Sequence, residues 1–169
     1  MTVCVQSSAA VMAITMTLCS TGVLPIYLGI ALVMGENIGT TVTSNVAALT
    51  ANTQARRAAF AHMFFNIFGV IWVLCIFRYF IDFICGIVGY PTTGATPADV
   101  VKLPFVLATF HTTFNVINTA ILIWFIPQIE AVVCRVITPK KVKVEEEEDF
   151  RLRFISSGLM HTPELSVLE

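Results

Sequence analysis

The chain has 169 residues, of which 56% are hydrophobic and 12% are charged, and its mean hydropathy is +0.82. This composition excludes an ordinary soluble domain and favours a membrane protein. The formal net charge of −1 hides an asymmetry, because the first basic residue is Arg56 and residues 138–169 hold most of the charge. We therefore expect a transmembrane part over residues 1–137 and a charged tail over residues 138–169.

The first predicted element, residues 1–22, turns polar at Gln6, Ser7 and Ser8 before an apolar run that begins at Ala9. A serine hydroxyl at such a point can cap the helix that follows, because it accepts from an unpaired backbone N–H of the first turn. Buried in a membrane, the same helix start would carry a partial positive charge able to hold an anion. The spacing alone favours the simple cap.

The next element, residues 23–55, contains the polar run 35–43 between two apolar flanks that are each too short to cross a bilayer. Together the flanks predict one membrane span broken in its middle. In lipid, broken backbone is tolerated only where protein or a watery cavity satisfies its polar groups, so the run predicts a binding site near the bilayer midplane. The alternative is a polar surface loop between two short helices. The polar side chains of interest in this run are Glu36, Asn37, Thr40 and Thr41.

Two intact membrane spans follow, at residues 58–77 and 103–126, and each is long enough to cross a bilayer. The connector at residues 86–102 is rich in glycine and proline and predicts an irregular loop. Arg56 and Arg57 fall on the same side of the membrane as the basic residues after the last span. The tendency of basic residues to stay inside makes that side cytoplasmic, with the hairpin of residues 1–22 opening outward.

The two intact spans share the pattern H-x-x-F-N, at His62 to Asn66 and at His111 to Asn115. Histidine and asparagine at positions i and i+4 lie on one face of a helix, and Asn118 extends the second face by a further turn. We interpret both pairs as interhelical hydrogen-bonding groups rather than substrate contacts, because they lie away from the midplane.

The order of these features resembles the bacterial sodium–phosphate cotransporter family, which is related to the animal type II transporters. The features are Gln6-Ser7-Ser8, the G-x-N-I-G-T-T block at residues 35–41, Arg56-Arg57-Ala58 and the two H-x-x-F-N spans. The resemblance covers nearly the whole chain. It implies an all-α membrane protein built from two inverted repeats, each with a re-entrant hairpin, a broken transmembrane helix and two intact transmembrane helices. The orientation predicted above fits the second repeat.

The resemblance also implies which residues hold sodium and phosphate. The implied binding residues are Gln6, Ser7, Ser8, Asn37, Thr40, Thr41 and, less directly, Glu36; the sodium ligands would come from Ser7, Ser8, Asn37 and Thr40. Two positions depart from the family pattern. Ala9 stands where the third signature serine is expected, and Glu36 occupies a position that is often small. The Glu36 carboxylate could bind sodium, pair with a neighbour or face a water-filled vestibule.

The function implied is sodium-coupled transport of inorganic phosphate across the bacterial cytoplasmic membrane by a multi-pass symporter with a cytoplasmic C-terminus. Sodium is the coupling ion, and no other cofactor, enzymatic activity or nucleic-acid partner is predicted. We expect the chain to be an incomplete half, whose site needs the missing first repeat or a second copy. The tail resembles the start of a PhoU-like helical region. The alternatives are a membrane-embedded phosphate-sensing or regulatory subunit acting through that tail, and an inactive truncated product.

Overall fold

The computed structural model describes residues 1–139, and in that part the chain folds into helices and short connections. Three helical segments are long and apolar enough to cross a membrane, which confirms the all-α membrane class. The predicted tail, with its PhoU-like start, lies outside the described residues from position 140 onward. The helices are α1 Thr2–Val5, α2 Ser8–Ser20, α3 Ile26–Ala48, α4 Thr53–Cys75, α5 Phe77–Val88, α6 Leu103–Leu122 and α7 Ile126–Val136, with 3-10 segments at Pro97–Lys102 and Ile123–Phe125.

The N-terminal element is a short helix, a tight turn and a longer helix. Gln6 ends α1 in the left-handed region, with φ of 54°, and its N–H donates to the carbonyl of Thr2. Ser7 then caps α2, since its hydroxyl oxygen accepts from the N–H of Ala10 at 3.3 Å. The cap predicted for Ser7 or Ser8 is therefore made by Ser7.

The polar run 35–43 does not break its helix, so the predicted broken span over residues 23–55 is wrong. The α3 helix is continuous over 23 residues from Ile26 to Ala48. Hydroxyl groups along the run donate to carbonyls of the preceding turn, as Thr40 does to Glu36 at 3.0 Å and Thr41 does to Ile38 at 2.8 Å. Because these side chains find partners within the helix, they do not require broken backbone. The surface-loop alternative is wrong for the same reason.

The two intact spans are present as α4 and α6, with ends shifted by a few residues from the predicted ones. The connector predicted as an irregular loop is partly helical, because α5 extends into it and a 3-10 turn occupies Pro97–Lys102. Gly89 ends α5 in the left-handed conformation that glycine adopts easily, with φ of 72°. Pro127, which follows the predicted last span, lies in the first turn of the additional helix α7.

The long helices pack as neighbours around an aromatic core. The rings of Trp72, Phe80, Phe110 and Phe114 form a chain, with consecutive centroids 5.4–6.2 Å apart in the contacts Trp72–Phe114, Phe110–Phe80 and Phe110–Phe114. Gly69 lets α4 approach α6, because a Cβ there would lie 2.7 Å from the Phe114 ring. The rings belong to α4, α5 and α6, and α3 joins the same buried cluster through Ile30, Val33 and Met34.

Candidate functional site

The polar face of α3 carries a buried carboxyl group. Glu36 is only 4% exposed, and its Oε2 atom is buried without a hydrogen-bond partner in the described part of the chain. Burying an ionised carboxylate costs roughly several kcal/mol unless a cation or a proton compensates it. An unpartnered carboxyl oxygen at the centre of a membrane span is therefore a candidate cation ligand.

Asn37, the next residue, joins α3 to α6. Its Oδ1 lies 3.2 Å from Nε2 of His111. An amide oxygen can only accept a hydrogen bond, so Nε2 of His111 is the protonated nitrogen in this contact. The Nδ2 group of Asn37 is buried and has no hydrogen-bond partner within the described residues. The amide thus offers two unused N–H donors, one residue along α3 from the unused acceptor of Glu36.

The threonines of the run are held within the helix, yet they keep capacity to bind a cation. Thr41 is completely buried and Thr40 is half-buried, and both hydroxyls donate to carbonyls of α3. A hydroxyl that donates one hydrogen bond retains lone pairs that can coordinate a hard cation such as sodium. This set of candidate ligands suits sodium, because it consists of the neutral hydroxyl oxygens of Thr40 and Thr41 and the single carboxylate of Glu36.

The hairpin turn meets the C-terminal half of α3. Gln6, Ser7 and Ser8 are all exposed in this chain. Gln6 lines a cavity of about 560 Å³ that Thr43 and Ser44 complete, together with Val3, Val46 and Ala47. The structure therefore brings Gln6 close to the C-terminal half of α3, more than one helical turn beyond Asn37 and Glu36. The predicted ligands Ser7 and Ser8 lie at the start of α2.

The two H-x-x-F-N motifs adopt the same local geometry. The side-chain amide of Asn66 donates to the His62 carbonyl at 3.0 Å, and that of Asn115 donates to the His111 carbonyl at 2.8 Å. The imidazoles differ, since His62 is exposed whereas His111 is half-buried against Asn37. The contact between helices therefore comes from one imidazole and not from both pairs.

Two asparagines that the sequence analysis did not place in the site join the helices. Asn118 is fully buried; its amide donates to the Phe65 carbonyl at 3.0 Å and its oxygen accepts from Nε1 of Trp72 at 3.2 Å. Asn45 donates to the Ala59 carbonyl at 2.8 Å and so fixes α3 to α4. Helical spacing in the sequence could have identified Asn45, because it follows Thr41 by four positions.

Thr43 and Ser44 were also missed, and the same kind of spacing could have found them. They follow Thr40 by three and four positions, and both donate to its carbonyl, at 2.8 and 3.0 Å. The row of hydroxyls thus continues along α3 beyond the block that carries the resemblance. Among residues 1–139 there is no group of three or more His, Cys, Asp or Glu side chains that could hold a metal ion.

The N-terminal half of the chain is similar to a known protein family. The family model described as Na+/Pi-cotransporter matches residues 1–88, just over half of the chain, including the hairpin and all of α3. The uncharacterized protein YqeW of Bacillus subtilis (strain 168) is 34% identical over 74 residues. That match covers 44% of this chain and 24% of YqeW, so the chain corresponds to about a quarter of this relative's length. No solved structure matches the chain.

Proposed function

Because the chain belongs to the Na+/Pi-cotransporter family, we propose that it forms one wall of a sodium-coupled symporter of inorganic phosphate in the bacterial cytoplasmic membrane. The observation that carries the proposal is the polar face of α3, which lies within the matched residues and holds two unpartnered buried groups, Oε2 of Glu36 and Nδ2 of Asn37. The Glu36 oxygen needs a hydrogen-bond donor or a cation, and the Asn37 amide needs a hydrogen-bond acceptor. A symporter of a cation and an oxyanion supplies both.

The proposed division of labour follows from donor and acceptor chemistry. Sodium prefers hard oxygen ligands, which Glu36, Thr40 and Thr41 provide on α3. Phosphate prefers N–H donors and the positive end of a helix, which the amides of Asn37 and Gln6 and the capped start of α2 provide. The exposed Ser7 and Ser8 hydroxyls add donors beside that helix start. Sodium bound on α3 would then neutralise part of the charge that phosphate brings.

A second wall is part of the proposal. Gln6, Ser7 and Ser8 are exposed, so their partners in a closed site come from another part of the transporter or from a second copy of this chain. Rocking of the two walls against each other would give each side of the membrane access in turn. Of these two sources we favour another part of the transporter, so the 169-residue chain alone is not expected to transport phosphate.

Uptake of radiolabelled phosphate into proteoliposomes tests the proposal. The complete transporter that contains this segment should take up phosphate when sodium is high outside, and uptake should fall to background when potassium replaces sodium. The chain alone should give background uptake in both buffers. Uptake by the complete transporter that is indifferent to sodium contradicts the coupling. Sodium-dependent uptake by the chain alone contradicts the need for a separate repeat and indicates that a homodimer completes the site.

A further inference from the structure

We propose that a groove between α4 and α7 binds one phosphatidylethanolamine molecule, with the lipid phosphate on Arg57 and its ammonium group on Glu130. The groove is separate from the polar face of α3, so the proposal does not depend on phosphate transport. It rests on the shape of the groove, the two charges that line it and its position at the end of a membrane span.

The α4–α7 groove has the size and lining of a lipid site. Its volume is about 670 Å³. That is within the range of roughly 300–1,000 Å³ found for small-molecule sites and is enough for a headgroup and the first part of an acyl chain. Beside it, a second cavity of about 210 Å³ shares Ile129 and is lined by Phe64, Phe68 and Leu122, among others. The apolar walls of the groove are Ala58, Ala61 and Phe65 on α4 and Ile126, Ile129 and Val133 on α7.

The groove contains two opposite charges that do not pair with each other. Arg57 on α4 and Glu130 on α7 both line it. Within residues 1–139, the ion pair formed is the one between Lys102 and Asp99. The Nε atom of Arg57 donates to the Ile137 carbonyl at 3.0 Å, which orients the guanidinium and leaves its terminal N–H groups for another acceptor.

Phosphatidylethanolamine matches this pair of charges. Its phosphate is an acceptor that a guanidinium binds strongly, and its primary ammonium is a cation with three N–H donors for the Glu130 carboxylate. Phosphatidylglycerol carries a neutral glycerol in place of the ammonium and leaves Glu130 without a cationic partner. Phosphatidylcholine has a cation without N–H donors, so it cannot hydrogen-bond to the carboxylate.

The groove also lies where a headgroup would be found. Arg57 is in the first turns of α4, and α7 follows directly after α6, so the groove is at one end of two membrane spans. Apolar side chains on the free surface of α7, Val132 and Val136, are exposed within residues 1–139. A short helix with exposed apolar residues beside a charged groove is typical of the membrane interface.

Lipid retention by the purified full chain tests the proposal. The chain is extracted in mild detergent, equilibrated with equal amounts of phosphatidylethanolamine and phosphatidylglycerol, and examined for bound lipid by native mass spectrometry. We expect the unaltered chain to retain phosphatidylethanolamine about fivefold more than phosphatidylglycerol, the ratio that one additional charge contact of roughly 1 kcal/mol supplies. Glu130→Gln should bring the two lipids to parity, and Arg57→Gln should lower the retention of both.

Matched variants keep the test decisive. Arg135→Gln removes an exposed charge of α7 outside the groove lining and should leave retention unchanged. Ala61→Trp fills the groove without altering its charges and should remove both lipids, while Arg57→Lys keeps the charge and should retain phosphatidylethanolamine in part. Helical content measured by circular dichroism identifies variants that fail to fold, and lipid retention is compared among the folded ones. Equal retention of the two lipids by the unaltered chain, or release of lipid by millimolar inorganic phosphate, overturns the proposal.

Discussion

Glu36 is the residue whose environment is hardest to explain by packing alone. A side chain of that size, 4% exposed and with an oxygen that lacks a partner among the described residues, would be replaced by an apolar residue if stability were its only role. Its neighbours along the helix, Val33 and Met34, are buried apolar residues. The carboxyl group therefore needs a compensating proton or cation, and we propose that this cation is sodium.

Glu36→Gln separates a sodium ligand from a structural acid. Glutamine has nearly the same shape but no charge, so the helix should remain folded and its thermal stability in sodium-free buffer should be equal or higher. In the complete transporter, we expect the sodium concentration for half-maximal phosphate uptake to rise about tenfold, which corresponds to roughly 1.4 kcal/mol. The matched control is Asp82→Asn, which neutralises an exposed acid on α5 and should leave this concentration unchanged. An unchanged sodium dependence in Glu36→Gln would exclude a sodium contact.

The sequence alone could identify Glu36 as a candidate site residue, but it could not show which residues surround it in the fold. Glu36 and Asn37 are conspicuous because they belong to a polar run between two apolar flanks, and that contrast can be read from the sequence alone. The contact from Asn37 to His111 joins positions 74 residues apart, and it depends on how α3 and α6 cross. The spacing of residues along one helix does not predict how α3 and α6 cross.

At the scale of the element, α3 shows why polar composition is a poor guide to helix breaks in membranes. Glycine and threonine both disfavour helices in water, and the run 35–43 is rich in them. In apolar surroundings the balance changes, because a backbone N–H or carbonyl without a partner costs more than a weak helix propensity. The hydroxyls bond back to their own helix, as Ser44 does to Thr40 at 3.0 Å, and the helix continues.

Two glycines of α3 have different roles, and a matched pair of alanine substitutions distinguishes them. A Cβ at Gly39 would lie 2.9 Å from the Cβ of Thr2, whereas a Cβ at Gly35 would meet nothing within 4 Å. Gly35→Ala should stabilise the chain by about 0.5–1 kcal/mol, since alanine is the better helix former. Gly39→Ala should destabilise it by about 1 kcal/mol or more, because α1 must move away.

Unfolding in detergent with increasing denaturant measures both changes, and hydrogen exchange at α1 shows where the second one acts. Exchange at Thr2–Val5 should become faster in Gly39→Ala and stay the same in Gly35→Ala. If both substitutions stabilised the chain equally, α1 would not be held against α3 as the structure places it. The comparison is internal, because the two variants differ only in position on one helix.

At the scale of the whole molecule, the number and order of the membrane spans were predictable, but the shorter helices between and after them were not. Long apolar runs identify α4 and α6 because the bilayer demands about 20 such residues. The α5 and α7 helices have 12 and 11 residues, and they carry charged side chains such as Asp82 and Glu130. Their helical state depends on packing against α6 and α4, which composition does not reveal.

The arrangement of the helices makes the predicted orientation testable with two loop positions. Thr50 lies in the connection between α3 and α4, and Thr93 lies in the connection between α5 and α6; both are exposed. One membrane span, α4, separates them, so the two loops should face opposite sides of the membrane. Arg56 and Arg57 follow shortly after Thr50, and the positive-inside tendency predicts that the Thr50 loop faces the cytoplasm.

Thr50→Cys and Thr93→Cys, made one at a time, report these sides through labelling with a membrane-impermeant maleimide. Cys4, Cys75 and Cys134 are replaced by serine because they are exposed or half-buried, while the buried Cys19 and Cys85 can stay. In intact cells the cysteine at position 93 should react, and the cysteine at position 50 should react only after permeabilisation. The reversed pattern would place the start of α4 outside and, with it, the α4–α7 groove in the outer leaflet. Labelling of both positions from one side would show that α4 does not cross the membrane, and the transporter architecture would then have to be abandoned.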